Sequence, residues 1–362
     1  MGHDQAYEER GDHMTDQHDG ILYLSRNDVE QALASINSLD VIQEVFKMHG
    51  SGQTTLPDEA YLPWRNTEGD SLRSLNMPAF LGGDIQVAGT KIINSNPANP
   101  QKGLPRASGL TLLFDVQTAR VVCVMEAAYI SCMRTASVTA LSARLFTGYP
   151  IECVALIGAG VLAWAHIHVL TRFLPHVKAI QLFDINEERV MDLHRQVEPL
   201  LRARGICLQH AVSAEAAIRS AQLVVPVTTT TTGYIQFDWL QKGAILVNVS
   251  LDDALPEVVF QADQRVVDDW QLVKNDPHRL MGRMYRAHQL VGPSDALAST
   301  SERCCRVDAE LGDIVTGRKP GRAHRDEIIL VNPFGLAIED IAFAHRVYRF
   351  ALDRKLGTLL TP

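Results

Sequence analysis

Much that would narrow the function of this chain is missing from it. There is no Lys/Arg-rich run, and 34 basic residues face 42 acidic ones, for a net charge of −8. A broad nucleic-acid surface is therefore not expected. The six cysteines (Cys123, Cys132, Cys153, Cys207, Cys304 and Cys305) form no C-x-x-C pair. That argues against a zinc or dithiol centre and for reduced, structural thiols. No H-E-x-x-H occurs, and His166 and His168 stand two apart, the wrong spacing for one helix face. No metal is expected. No apolar run reaches the length of a membrane span. The first twenty residues, MGHDQAYEERGDHMTDQHDG, are polar and acidic, with neither the apolar stretch of a secretory signal nor the Ser/Thr of a myristoylation site. They are expected to be disordered, and the protein to be cytoplasmic.

What remains is an ordinary globular balance: 362 residues, 46 % apolar and 21 % charged, enough for two cores. Order is expected from Ile21, with ILYL as a strand and Ser25 or Asn27 capping a helix. A second helix, VIQEVFKMHG, ends at Gly50, and the segment from Gly50 to Gly69 reads as a loop. SLRSLNMPAFL, QVAGTKIINS, SGLTLLFDV and ARVVCVME read as strands of a mostly antiparallel sheet, followed by a helix from Ala127 to about Phe146. From Glu152 onward strands and helices alternate: CVALIG, AIQLFDI, CLQHAV, QLVVPVT, AILVNVS and RVVDD are strands between helical stretches. That alternation predicts βαβ units and a doubly wound parallel sheet. The fold class expected is α/β: a Rossmann sheet plus an α+β substrate and dimerisation domain. The Rossmann domain is placed at 149–324, and the other at 21–148 with 325–362, the C-terminus returning to complete the first domain.

The strongest local motif is CVALIGAGVLA, in which Gly158, Gly160 and Ala163 form G-x-G-x-x-A between a strand and a helix. The first glycine permits a tight turn, the second a close approach to pyrophosphate, and the small third residue close helix packing. Gly158, Ala159, Gly160, Val161 and Leu162 are the expected phosphate-binding residues. Asp184 ends the next strand 26 residues after Gly158, where an acidic ribose ligand belongs, and its charge favours NAD over NADP. Thr228 and Thr229 end a later strand at the carboxyl edge, where ligands bind in such sheets.

Arg73, Lys91 and Arg134 stand in apolar surroundings and need partners. Two readings are open for each: a structural ion pair, or a clamp on the carboxylate of an amino-acid substrate. Asp252 and Asp253 follow the strand AILVNVS and are either acidic turn residues or proton-transfer groups.

Together MPAFL, GTKIINSNP, LLFDVQTARVVCVMEAAYISCMRTASVTALSARL, IGAGVLA and VNPFGLAIEDIA resemble the ornithine cyclodeaminase/mu-crystallin family from about Ile21 to Leu352. SNPANPQKGLPRASGL, DWLQKGAILVNVS, VVDDW and DEIILVNPFGLAIED are more similar to its 2,3-diaminopropionate-forming branch. Two departures weigh against ornithine as substrate. The cyclodeaminase Gly-Gly-Asp reads Ser250-Leu251-Asp252, and Leu75 and Asn76 replace the glutamate before Met-Pro. The resemblance implies NAD-dependent oxidative cleavage of N-(2-amino-2-carboxyethyl)-L-glutamate to L-2,3-diaminopropionate and 2-oxoglutarate, in siderophore or antibiotic precursor biosynthesis. Arg73, Lys91 and Arg134 would hold substrate carboxylates, with Lys91 also near the reacting centre. Asp252 or Asp253 would be the catalytic aspartate, and Asn332 would lie over the nicotinamide. A homodimer through the first domain is also implied. The alternatives within the family are a cyclodeaminase, a related dehydrogenase or imine reductase, or a mu-crystallin-like binding protein.

Overall fold

A computed structural model describes residues 20–295 and 304–361. The segment expected to be disordered, 1–20, lies outside the described residues except for Gly20. Two eight-stranded sheets carry the fold.

The first sheet contains β1 (Ile21–Leu24), then, after helices α1 (Arg26–Ser35) and α2 (Ser38–Gly50), β2 (Thr54–Thr55), β3 (Ala60–Arg65), β4 (Ser71–Leu81), β5 (Val87–Ser95), β6 (Ala107–Phe114) and β7 (Val121–Glu126). Ser25, not Asn27, caps α1, in a capping box with Asp28. Strands β4 to β7 are antiparallel neighbours, as expected. The segment read as a loop after Gly50 instead holds β2 and β3, both paired antiparallel to β4. Strand β3, AYLPWR, is exposed along its whole length. An edge strand with Pro63 in it buries no face, so it shows no alternation to read.

Helix α3 (Ala128–Leu145) leads to the second sheet and is buried on most of its surface, packed against α2 and the first helix beyond it. That sheet begins with β8 (Cys153–Ile157), α4 (Val161–Phe173), β9 (Ala179–Phe183), α5 (Glu187–Arg204), β10 (Cys207–His210), α6 (Ala214–Arg219), β11 (Leu223–Pro226) and β12 (Ile245–Val247). It continues through α7 (Pro256–Gln261), β13 (Gln264–Val267), α8 (Trp270–Asn275) and α9 (Leu280–Arg286). A small pair, β14 (Leu290–Val291) and β15 (Cys305–Arg306), stands apart; β16 (Ala309–Glu310), α10 (Leu311–Val315) and β17 (Ile329–Asn332) follow. The order is β10-β9-β8-β11-β12-β17-β13-β16, parallel throughout. Strand order reverses between β8 and β11, the switch point at which doubly wound sheets bind ligands.

One boundary moves. The strand IILVN was expected to return with the C-terminus to the first domain, from residue 325. Its core, β17, is instead a fully buried interior strand of the parallel sheet, between β12 and β13. The return begins after Asn332. Helix α11 (Ala337–Arg354) then packs on β4, β5 and β6, and β18 (Thr358–Leu360) pairs with β1.

Candidate functional site

The turn after β8 is shaped by its neighbours. Gly158 has φ +104°, and a Cβ there would lie 2.9 Å from the Val227 carbonyl at the end of β11, so only glycine fits. Gly160 has open space where a Cβ would point. It caps the N-terminus of α4, whose first N–H groups have no side-chain acceptor. Val161 is exposed, Leu162 is half-buried, and Ala163 is fully buried where helix meets sheet. Asp184 reaches back over this turn. Its carboxylate accepts from Ala159 N at 2.8 Å and Asn186 N at 2.9 Å. Thr228 lies just beyond β11: its N–H donates to Ser250 Oγ at 3.1 Å and its hydroxyl to Asp253 Oδ1 at 2.7 Å, while Thr229 is exposed. Asn332 ends β17, buried, and its Oδ1 accepts from Asn248 Nδ2 at 2.9 Å. A glycine cradle, an open helix N-terminus and a carboxylate at the ribose position fit a dinucleotide.

Lys91 (β5) and Arg134 (α3) meet in the interior between the sheets. Lys91 Nζ donates to Asp340 Oδ2 at 2.6 Å. Arg134 donates from Nη1 to Glu339 Oε2 at 2.6 Å and from Nε to Asp340 Oδ1 at 3.3 Å. Both cations therefore have protein partners on the first turn of α11. Burial pushes the Lys91 ammonium down, against the pull of Asp340. For Arg134 burial also opposes the charge, but Asp340 and Glu339 more than offset it. Gly335, at φ +94°, lets the backbone pass close to the guanidinium; a Cβ there would lie 2.6 Å from Arg134 Nη1.

Two further carboxyls, Glu59 and Asp268, complete this cluster, and none of its four acids was assigned a role from the sequence. Burial raises Glu59, just before β3, to about 7, although Lys91 and Arg134 pull it down; among the described residues its buried Oε1 has no partner. Burial raises Glu339 to about 7 and Asp268 to about 6. Asp268 accepts from Gly335 N at 2.6 Å, fixing the chain beside Arg134. Glu339 and Asp340 lie in the quoted GLAIED motif and Asp268 in VVDDW, but their partners are distant in sequence. Glu59 sits in a segment with no periodic pattern and carried no signal.

The two aspartates left open differ sharply. Both Asp252 oxygens are engaged, by Arg279 Nη1 at 3.1 Å, Arg283 Nη2 at 3.1 Å and Leu280 N at 3.0 Å. Asp253 Oδ1 accepts from Thr228 and, at 2.9 Å, from Tyr234 OH, while its Oδ2 is buried with no hydrogen-bond partner among the described residues. Burial pushes the Asp253 carboxyl up, and the hydroxyls of Ser250, Thr228 and Tyr234, in that order, restrain it. Arg73 lies apart from Lys91 and Arg134, and among the described residues its Nε donates to Ser95 Oγ, at 3.2 Å.

The sequence profile of the ornithine cyclodeaminase/mu-crystallin family matches residues 21–355. N-((2S)-2-amino-2-carboxyethyl)-L-glutamate dehydrogenase of Staphylococcus aureus is 33 % identical over 94 % of this chain and 98 % of its own. Among solved structures, that of CmnK superimposes with a TM-score of 0.84 at 35 % identity, covering 95 % of this chain and 98 % of its own. An archaeal alanine dehydrogenase dimer with bound NAD gives 0.78 at 26 % identity, covering 94 % and 98 %.

Proposed function

The chain belongs to the ornithine cyclodeaminase/mu-crystallin family, and on that premise we propose that it cleaves N-(2-amino-2-carboxyethyl)-L-glutamate oxidatively to L-2,3-diaminopropionate and 2-oxoglutarate. It is an NAD-dependent dehydrogenase of the amino-acid CH–NH class. The substrate is suggested by the 33 % identical relative, and the placement of the site rests on one observation. The chain from Asn332, at the carboxyl edge of the parallel sheet, to Gly335, against Arg134, is only four residues, at most about 11 Å from end to end. Cofactor edge and buried cations therefore share one site.

The chemistry supplied by a bound NAD is acceptance of hydride from the glutamate Cα, which turns the secondary amine into an imine. The other tasks fall to the protein. Gly158, Ala159, Gly160, Val161 and Leu162 line the pyrophosphate, Asp184 takes the ribose hydroxyls, and Thr228, Thr229 and Asn332 border the nicotinamide end. Lys91 and Arg134 have N–H groups to spare beyond their ion pairs and hold the carboxylate at the reacting carbon. Glu59, poised near neutrality, takes the amine proton. Asp253, with its unpartnered Oδ2, orients and deprotonates the water that attacks the imine carbon, while Glu59 returns its proton to the nitrogen; Asp253 then gives its proton to the same nitrogen as the C–N bond of the carbinolamine breaks and the hydroxyl proton is shed, releasing L-2,3-diaminopropionate and 2-oxoglutarate. Asp252 positions Arg279 and Arg283.

The outer face of the first sheet carries partly exposed Ile92, Leu110, Leu112, Phe114, Val122 and Val124. An apolar face of this kind supports a homodimer through that sheet.

The test is absorbance at 340 nm with NAD⁺ and, separately, the glutamate–diaminopropionate conjugate and L-ornithine. Stoichiometric NADH with 2-oxoglutarate from the conjugate is the expected result. Ammonia and proline from ornithine without net NADH would replace this reading with a cyclodeaminase.

A further inference from the structure

Outside the reacting centre, one cluster of guanidiniums is short of acid among the described residues. The register Arg73–Ser95–Ala107 runs across β4, β5 and β6. Arg106 stands beside this row, its carbonyl accepting from Asn96 N at 2.9 Å. The Arg106 side chain is partly buried, and among the described residues neither it nor Arg73 pairs with a carboxylate. Arg279 reaches the same corner from the second sheet. Its segment lies against the first, with the His278 and Tyr61 rings 6.5 Å apart. Arg279 is shared with Asp252 at 3.1 Å and Asp276 at 3.8 Å, and Asp252 is already divided with Arg283. Burial, then the like charges of Arg73 and Arg279, holds the Arg106 guanidinium below its ordinary range.

A partly buried guanidinium beside two others, without an acid of its own, is costly until an anion arrives. The planar forks suit a carboxylate. The reacting centre has the opposite balance: Lys91 and Arg134 face Glu59, Asp268, Glu339 and Asp340. An acid-rich pocket suits an amine, and a cation-rich one a second carboxylate. Strand alternation puts Arg73 on the same sheet face as Lys91. Ser95, the partner of Arg73, lies four residues from Lys91 along β5, about 13 Å, a gap that long Arg and Lys side chains shorten.

We propose that Arg73, Arg106 and Arg279 form a socket for a substrate carboxylate remote from the carbon that is oxidised. The substrate class is then amino-acid derivatives bearing an additional side-chain carboxylate. The socket rests on the reading above only in taking Lys91 and Arg134 as the reacting end.

The test compares two 2-oxo acids that differ in the remote carboxylate, 2-oxoglutarate and 2-oxobutanoate, binding to the full-length protein with NADH by calorimetry. Wild type is expected to prefer 2-oxoglutarate by about tenfold or more. In Arg106→Gln that preference disappears, and Arg106→Lys is intermediate. With the conjugate as substrate, Arg106→Gln raises KM about tenfold with kcat little changed. Arg73→Gln serves as a second variant should Arg106→Gln fail to fold by circular dichroism. Retention of the preference in a folded Arg106→Gln or Arg73→Gln protein overturns the socket. A wild type that ignores the conjugate but prefers 2-oxoglutarate through Arg106 overturns the proposed reaction and leaves the socket standing.

Discussion

Glu59 is a side chain whose environment changes its chemistry. A buried carboxyl at about 7 is half-ionised at neutral pH, the condition for efficient proton transfer. As a base it works ionised, so kcat/KM for the conjugate should rise with pH through about 7. Glu59→Gln should remove that limb and lower kcat by about 100-fold or more. A pH–rate profile checks both, and a limb that persists in the variant refutes the role. The two aspartates should also separate kinetically. Asp253→Asn loses its proton-accepting oxygen and should lose kcat. Asp252→Asn keeps the shape but weakens the hold on Arg279 and Arg283, and should chiefly raise KM. At this scale the sequence was a partial guide. The glycine turn and Asp184 are local and could be read directly. Lys91 and Arg134 were visible as cations in apolar runs, but not their partners about two hundred residues or more away. Arg106 and Glu59 lie where no periodicity marks a buried side chain.

Elements were legible where one face or both faces are buried. Strands β4 to β9 and helices α3 to α5 each have a run or alternation set by burial. Strand β3 was missed because it buries nothing, and β17 was recognised as a strand but placed in the wrong sheet. Periodicity gives the type of an element and not its neighbours. One contact between elements is unusually close. At the end of α2, a Cβ on Gly50 would lie 2.5 Å from the carbonyl of Gly312 in α10, so the two backbones touch. Gly50→Ala should force them apart and destabilise the protein by about 1–3 kcal/mol. Denaturant unfolding measures it; a neutral or stabilised variant would show that the helices can separate freely.

For the molecule as a whole, the two sheets are also joined by polar contacts that titrate. His49, on α2, lies 3.1 Å from Asp269, which caps α8. Burial opposes the imidazolium, but Asp269 outweighs it and the His49 pKa is raised. The Asp269 carboxyl is lowered, burial being outweighed by His49 and backbone donors. A raised histidine contributes stability that is complete below its unfolded value, about 6.5, and is lost as pH rises through the folded one. A lowered aspartate contributes above about 4 and is lost on acidification. The pair is therefore fullest between about 4 and 6.5. The raised carboxyls Glu59, Glu339 and Asp268 also weaken the fold as pH climbs to about 7. The clean comparison is thus from pH 7 to pH 9: Tm should fall, and fall less in His49→Gln. An equal fall in the variant would assign the loss elsewhere. The span from Asn332 to Gly335 has a mechanical meaning of its own. Those residues act as a ruler, setting the gap across which the reaction must occur by covalent length and not by the balance of weak contacts. One glycine inserted between Pro333 and Phe334 would add about 3.5 Å of slack, where about 1 Å of misplacement already costs 100-fold. The enzyme should therefore tolerate single substitutions of Pro333 or Phe334 better than any change in the length of the segment.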